Sequence, residues 1–194
     1  MNKDEIKLFE KEIKDCYYYE FYLTQLDTGA RIGELLALTW EDVNFDLKQI
    51  NINKTIIKIK EKGKNILKVQ NKTKTESNTR KIPLTDRNII ILEELKLNGT
   101  SDKLVFASKN GSYISPDNIR KSLRNICNKI GIENIGTHVL RHTYATRLYE
   151  LNVEIKKISK LLGHSKIEHT YNIYTHISED TKKEAIDELN KNLF

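Results

Sequence analysis

The sequence predicts an α+β domain, mainly α, with a small antiparallel three-stranded sheet inserted early in the chain. Three observations lead there. Apolar residues recur at helical spacing near both ends, as in Ile6, Phe9 and Ile13. Between residues 48 and 83 the pattern changes to period-two alternation. After Pro83 the chain is punctuated by helix starts and stops.

Residues 3–28 read as helix, the stripe of Ile6, Phe9 and Ile13 continuing through "YYYEFYLTQL" to an interruption at Thr28-Gly29. "ARIGELLALTW" reads as a short helix with Ile32, Leu35, Leu36 and Leu38 inward. "KQININ", "TIIKIK", "ILKVQN" and "RKIPL" read as strands, with "EKGKN" a turn and "KTKTESNT" a polar loop or hairpin tip. Thr85 or Asp86 is the expected N-cap of the helix "TDRNIIILEELKLN", and "LVFAS" is a short extended piece. Ser115 caps the next helix, Pro116 takes its first position and Gly131 stops it. "THVLRHTYATRLYEL", "VEIKKISKLLGH" and a piece holding Tyr171 and Tyr174 complete the helical half. The tail 178–194 is amphipathic, with Ala185, Ile186, Leu189 and Phe194 available on one side.

The 194 residues suffice for one large domain or two small ones. At 38% hydrophobic, and with no apolar run near eighteen residues, the sequence contains no candidate membrane span. The N-terminal stretch is charged and lacks the apolar core of a secretory signal. Cys16 and Cys127 stand far apart, so a reducing, cytoplasmic setting is expected rather than a disulfide framework. Net charge is +6, and its distribution is uneven. The segment from Lys54 to Lys81 holds ten Lys or Arg against two Glu, and the remainder of the chain is slightly acidic. Such concentration suits a nucleic-acid footprint, with a solvated lysine-rich hairpin as the alternative. The expected DNA contacts are Lys54, Lys58, Lys60, Lys62, Lys64, Lys68, Lys72, Arg80 and Lys81.

His138 lies three residues before Arg141 and four before His142 on an expected helix, so the three side chains share a face. Zinc hydrolases use two histidines at the second spacing with Glu directly after the first. Val139 stands there instead, and no third ligand follows at a familiar distance, so no metal site and no cofactor are expected. Arg31 could be a surface charge paired with Glu34, and any single lysine in "NKTKTESNTRKIPL" could be merely solvated. Gly163, the expected helix C-cap in "LLGHS", precedes His164, and Tyr174 follows ten residues later.

Taken together, the stretches "TGARIGELLALTWEDV", "KTESNTRKIPL", "GTHVLRHTYAT" and "LLGHSKIEHTYNIYTH" resemble the catalytic domain of the tyrosine recombinase (phage-type integrase) family, over about residues 21 to 178. "SKIEHTYNIYTH" and the strand motif look closest to integrases of mobile elements. The resemblance implies a site-specific recombinase that breaks DNA with a tyrosine, needing neither metal nor ATP. Arg31, Lys74, His138, Arg141, His164 and Tyr174 would be catalytic, and Glu34 would orient. Lys74 is preferred to Lys72 by its distance from the Pro-Leu strand end, and Tyr174 to Tyr171 by its place ten residues beyond Gly-His.

The resemblance further implies double-stranded DNA as partner, accessory DNA-bending proteins, and a tetramer acting through a Holliday junction. An isolated chain would be monomeric, and the setting would be the bacterial cytoplasm at the nucleoid. Residues 1–177 would form the DNA breaking-rejoining domain. Residues 178–194 would form a helical tail, either exchanged between protomers or folded back. The core-binding and arm-binding domains usual in the family would be absent, as in a catalytic fragment, the preferred reading, or in one of the family's short members. Two other readings share this logic: a regulator that binds DNA on the same fold without catalysis, and a type IB topoisomerase-like enzyme.

Overall fold

The computed structural model describes residues 1–71, 79–132 and 138–164. Among them are seven α-helices and five strands: α1 (Lys3–Glu12), α2 (Tyr19–Thr28), α3 (Ile32–Leu36), β1 (Val43–Asn44), β2 (Gln49–Ile52), β3 (Lys54–Glu61), β4 (Lys64–Asn71), β5 (Arg80–Pro83), α4 (Asp86–Asn98), α5 (Pro116–Lys129), α6 (Val139–Glu150) and α7 (Ile155–Leu162). The mainly helical α+β class expected from the sequence is the one observed. Lys72, Lys74, Tyr171, Tyr174 and the tail 178–194 lie outside the described residues.

The expected helix over 3–28 is two helices. Asn2 starts the first through a capping box with Glu5, and Ile13 ends it. The chain turns over residues 13–18 and restarts at Tyr19. No Gly or Pro marks this break. Long-range bonds hold it instead: the Tyr17 hydroxyl donates to the Ala107 carbonyl and the Tyr22 hydroxyl to the Ile119 carbonyl, both at 3.0 Å. Every residue of α2 from Phe21 to Thr28 is buried, so it is the central helix. Phe9, Tyr22, Phe21 and Phe106 meet edge to face along its flank, with Phe21 and Phe106 centroids 5.3 Å apart.

The alternating segment divides into two sheets. The three-stranded antiparallel sheet has the order β1-β2-β5, with Ile50 opposite Ile82 and Ile52 opposite Arg80. β3 and β4 form a separate hairpin, from Lys54 opposite Asn71 to Glu61 opposite Lys64. Lys62 and Gly63 close it with φ of 47° and 79°, the positive pair a two-residue hairpin turn requires. Gly33 lets this hairpin approach α3. A Cβ there would stand 2.6 Å from Thr55 Oγ1 and 2.7 Å from the Ile56 carbonyl oxygen.

The expected caps Thr85 and Ser115 accept from Asn88 N and Asp117 N, and Pro116 opens α5. Asp27 ties the helices together. Its carboxylate accepts from Arg87 at 2.6 and 2.9 Å and from Arg147 at 3.4 Å, while Arg87 also pairs with Glu10 at 2.8 Å. That network joins α1, α2, α4 and α6. α6 and α7 share a second small apolar cluster of Ala145, Ile158 and Leu162. Among the described residues no helix is long and apolar enough to cross a membrane.

Candidate active site

The site is assembled where three chain turns meet: the end of α2, the start of α3, and the end of α7. Gly29 terminates α2 in the left-handed region, φ 61°. A Cβ at Gly29 would collide with the Tyr144 ring and touch Leu162. Its turn delivers Arg31 to the N-cap position of α3. Gly163 ends α7 in the same conformation, φ 68°, and presents His164 directly after it. The amide of His164 donates to the Ser159 carbonyl at 3.1 Å, which closes the turn.

Arg141 sits one turn into α6 and is buried. Its guanidinium donates to the Gly29 carbonyl at 2.8 Å and the Leu162 carbonyl at 2.7 Å. Both acceptors are carbonyls at helix ends, where the chain offers unpaired acceptors and partial negative charge. Arg31 donates to Glu34 Oε1 at 3.0 Å and makes a long 3.4 Å contact to the Gly163 carbonyl. Its side chain is 39% exposed, so part of its donor set faces outward. The two guanidiniums expected to share one task therefore touch adjacent carbonyls, Leu162 and Gly163, of a single turn.

Glu34, 1% exposed, is the anionic centre. It accepts from the Arg31 amide at 2.8 Å and from Arg80 at 2.8 and 3.1 Å. Arg80 also donates through Nε to the Leu161 carbonyl at 2.7 Å. Arg80 was expected among the DNA contacts, but its side chain is only 7% exposed. The strand pattern carried the signal: Arg80 and Ile82 share a face of β5, and Ile82 is fully buried. Lys54 departs from the expectation in the same way. It shares the face of buried Ile56, and its ammonium pairs with Asp42 at 2.6 Å and Thr39 Oγ1 at 2.9 Å. The Asp42 carboxyl pays a desolvation cost, yet bonds from Lys54, Thr39 and Asn53 hold it below its ordinary range.

Lys58 pairs with Asp117 at the head of α5, at 2.7 Å. Lys60, Lys62, Lys64, Lys68 and Lys81 are exposed.

Removal from water, then the charges of Arg31 and Arg80, pull the Arg141 guanidinium well below its ordinary range, against a smaller opposing pull from Glu34. Three arginines thus crowd one carboxylate, a field that favours an incoming anion. His138 is the N-cap residue of α6, and its ring lies edge-on to His142 with centroids 6.4 Å apart. Partial burial, then Arg141, His142, Arg31 and Arg120, lower its imidazole from 6.5. Arg120 on α5 was not singled out from the sequence. Its place on the polar side of an amphipathic helix gave no sign that its charge acts on His138. Among the described residues, no group of three or more His, Cys, Asp or Glu is placed to hold a metal ion.

Comparison with known proteins identifies relatives of the sequence and of the fold. A XerC-like tyrosine recombinase of Caldanaerobacter subterraneus subsp. tengcongensis is 34% identical over 96% of this chain and 52% of its own length. The integrase of Staphylococcus phage L54a is 33% identical, over 84% of this chain and 49% of its own. The chain therefore spans about half the length of the curated relatives it matches. Among solved structures, the Tn1549 transposon integrase in complex with a circular intermediate DNA superposes with a TM-score of 0.80 at 22% identity, over 97% of this chain and 65% of that one. The catalytic domain of bacteriophage HP1 integrase superposes at 0.62 and 23% identity, over 96% of this chain and 92% of its own. The Phage integrase family matches residues 1–181, a span that includes every described residue, and the chain belongs to that family.

Proposed function

We propose that the chain is the catalytic part of a site-specific DNA recombinase of the integrase type, and that it cuts and rejoins DNA through a phosphotyrosyl intermediate. One observation carries the proposal. Arg31 and Arg141 reach the carbonyls of Gly163 and Leu162 in the turn that also presents His164, with His138 electrostatically coupled to both arginines.

In this reading the Tyr174 phenol oxygen attacks the scissile phosphorus, the phosphorus–O5′ bond breaks, and a 3′-phosphotyrosyl ester forms. A phenol has a pKa near ~10, so its proton must be taken up as attack proceeds, and His138 receives it. The departing O5′ takes a proton from Lys74. Negative charge that grows on the non-bridging oxygens is met by the outward-facing donors of Arg31, by the positive charge of Arg141 held behind it, and by a hydrogen bond from His164. Guanidiniums supply in this design the charge that a metal supplies in other phosphoryl transferases. The ester keeps the energy of the broken bond, so a 5′-hydroxyl can reverse the step without ATP. The exposed lysines of the β3–β4 hairpin hold the duplex backbone. Strand exchange would proceed in a tetramer through a Holliday junction, in the bacterial cytoplasm. Residues 178–194 would serve as the tail that links protomers.

The test is a nicked duplex, drawn from the ends of the element that encodes the protein, whose cut strand loses a short fragment and traps the covalent adduct. An adduct lost in Tyr174→Phe and kept in Tyr171→Phe supports the assignment. An adduct that survives Tyr174→Phe removes Tyr174 as nucleophile.

A further inference from the structure

We propose that Arg80 is a positioning residue for phosphoryl transfer: it holds the Glu34 carboxylate and the last turn of α7, and so leaves the guanidinium of Arg31 free to meet the phosphate. The proposal rests on the transferase reading above and concerns a residue outside the set of groups that would touch the reacting atoms.

Of the two arginines that donate to Glu34, Arg80 is the more enclosed, 7% exposed against 39% for Arg31. Its two terminal nitrogens each take one carboxylate oxygen of Glu34, at 3.1 and 2.8 Å, in a fork-to-fork pair. Arg31 gives the same carboxylate one side-chain donor, at 3.0 Å, and remains 39% exposed. Of these two arginines, the less exposed one gives the carboxylate the larger share of its side-chain donors. The division suits the chemistry. A carboxylate that turned fully towards Arg31 would occupy the donors the phosphate needs and cancel its charge.

Arg80 also fixes the other half of the site. Its Nε donates to the Leu161 carbonyl, one residue before the carbonyl that Arg141 holds and two before the one that Arg31 approaches. Gly163 is shaped to it. A Cβ at Gly163 would lie 2.8 Å from Arg80 Nη1 and 2.9 Å from its Cδ. Glycine at that position therefore serves two ends at once, the left-handed turn that presents His164 and the space the Arg80 guanidinium fills. Arg80 opens β5, so one side chain connects the sheet, α3 and the Gly163-His164 turn.

The role makes a specific prediction about pairs of substitutions. Arg80→Met frees the Glu34 carboxylate to close on Arg31. The adduct-forming rate at saturating DNA should fall by about a hundred- to a thousandfold, the scale of losing one oxyanion donor, with DNA affinity little changed. Adding Glu34→Gln removes the competing charge, so the double variant should be faster than Arg80→Met alone. A merely structural role would rescue the urea midpoint and only through it the rate, because Glu34→Gln also removes an unpaired buried carboxylate, so the rates are compared per folded protein. Arg80→Lys keeps the charge but not the fork, and should fall between wild type and Arg80→Met.

The experiment uses the full chain, the trapped-adduct assay, urea denaturation to establish folding, and the ¹⁵N resonances of arginine side chains titrated with inorganic phosphate. A double variant no faster than Arg80→Met, or Arg80→Met at the wild-type rate, overturns the proposal. If Arg80→Met does not fold, Arg80→Lys decides, and a wild-type rate there overturns it. If the wild-type chain forms no adduct, the transferase reading fails and the phosphate titration decides alone. An Arg31 response to phosphate in wild type that is lost in the folded Arg80 variant supports positioning; an unchanged response overturns it.

Discussion

Arg141 donates to the carbonyl of Gly29 at 2.8 Å, across 112 residues of sequence. The same guanidinium donates to Leu162, so a single buried side chain closes the ends of α2 and α7 against each other. It does so at an electrostatic cost, because removal from water, and then the nearby charges of Arg31 and Arg80, disfavour its charge. Stability and readiness for an anion are therefore opposed at one residue.

Arg141→Ala should separate the two. Two carbonyls lose charged donors worth about 1.5–3 kcal/mol each, and relief of like-charge crowding offsets part of that. We expect a net loss of about 1–3 kcal/mol in urea denaturation. Dilute inorganic phosphate should stabilise the wild-type protein more than the variant, because a bound anion relieves the crowding. Equal stabilisation of both would mean that the arginine cluster does not form an anion site.

Gly33 sets how closely the basic hairpin approaches α3. In Gly33→Ala the new Cβ meets the Ile56 carbonyl oxygen at 2.7 Å, and that atom belongs to a strand backbone rather than a flexible side chain. The hairpin must shift. We expect a cost of about 1–3 kcal/mol, read as a lowered urea midpoint. Adduct formation should slow by more than the folded fraction explains. A variant as stable and as fast as wild type would show that hairpin placement is unimportant.

Much of this was legible in the sequence because it is written locally. The caps Thr85, Ser115 and Gly163 and the hairpin turn are each specified within a few residues, and each is observed. The break at residues 13–18 was not legible, since it is held by partners near residues 107 and 119. Arg80 and Lys54 show a different failure. Both were grouped with their neighbours by charge, whereas strand alternation places them beside Ile82 and Ile56. Period should have outranked composition there. That Arg31, Glu34, His138 and Arg141 stand near one another was legible only through the pattern of motifs, because no local rule brings residues 31 and 141 together.

His138 and His142 both carry imidazoles lowered from 6.5, in each case first by partial burial and then by cationic neighbours led by Arg141. The unfolded chain therefore binds protons at a pH where the folded chain does not. Stability from this source is complete above about 6.5 and declines as pH falls from there towards the lowered folded values. Urea midpoints measured from about pH 8 down to about pH 5 should drop through that window, and His138→Gln with His142→Gln should flatten the drop. An equally steep decline in the double variant would assign the effect to other groups.

Salt dependence should distinguish lysines that face the duplex from those that face the protein. Lys60, Lys62, Lys64 and Lys68 are exposed on the hairpin, whereas Lys54 is 19% exposed and held by Asp42. Each phosphate contact contributes about 0.9 to the slope of log affinity against log salt. Replacing the four exposed lysines by Gln should reduce the slope by about 3 to 4 if all four contact phosphates, with little change in urea denaturation. Lys54→Gln should do the reverse. It leaves the Asp42 carboxylate in a nearly enclosed position without its cation, at a cost of about 1–3 kcal/mol, and should leave the slope unchanged for the surviving folded protein. Filter binding or fluorescence anisotropy across a salt series measures the first quantity, and denaturation the second. A slope that falls with Lys54→Gln but not with the four-lysine variant would remove those four lysines from the DNA contacts.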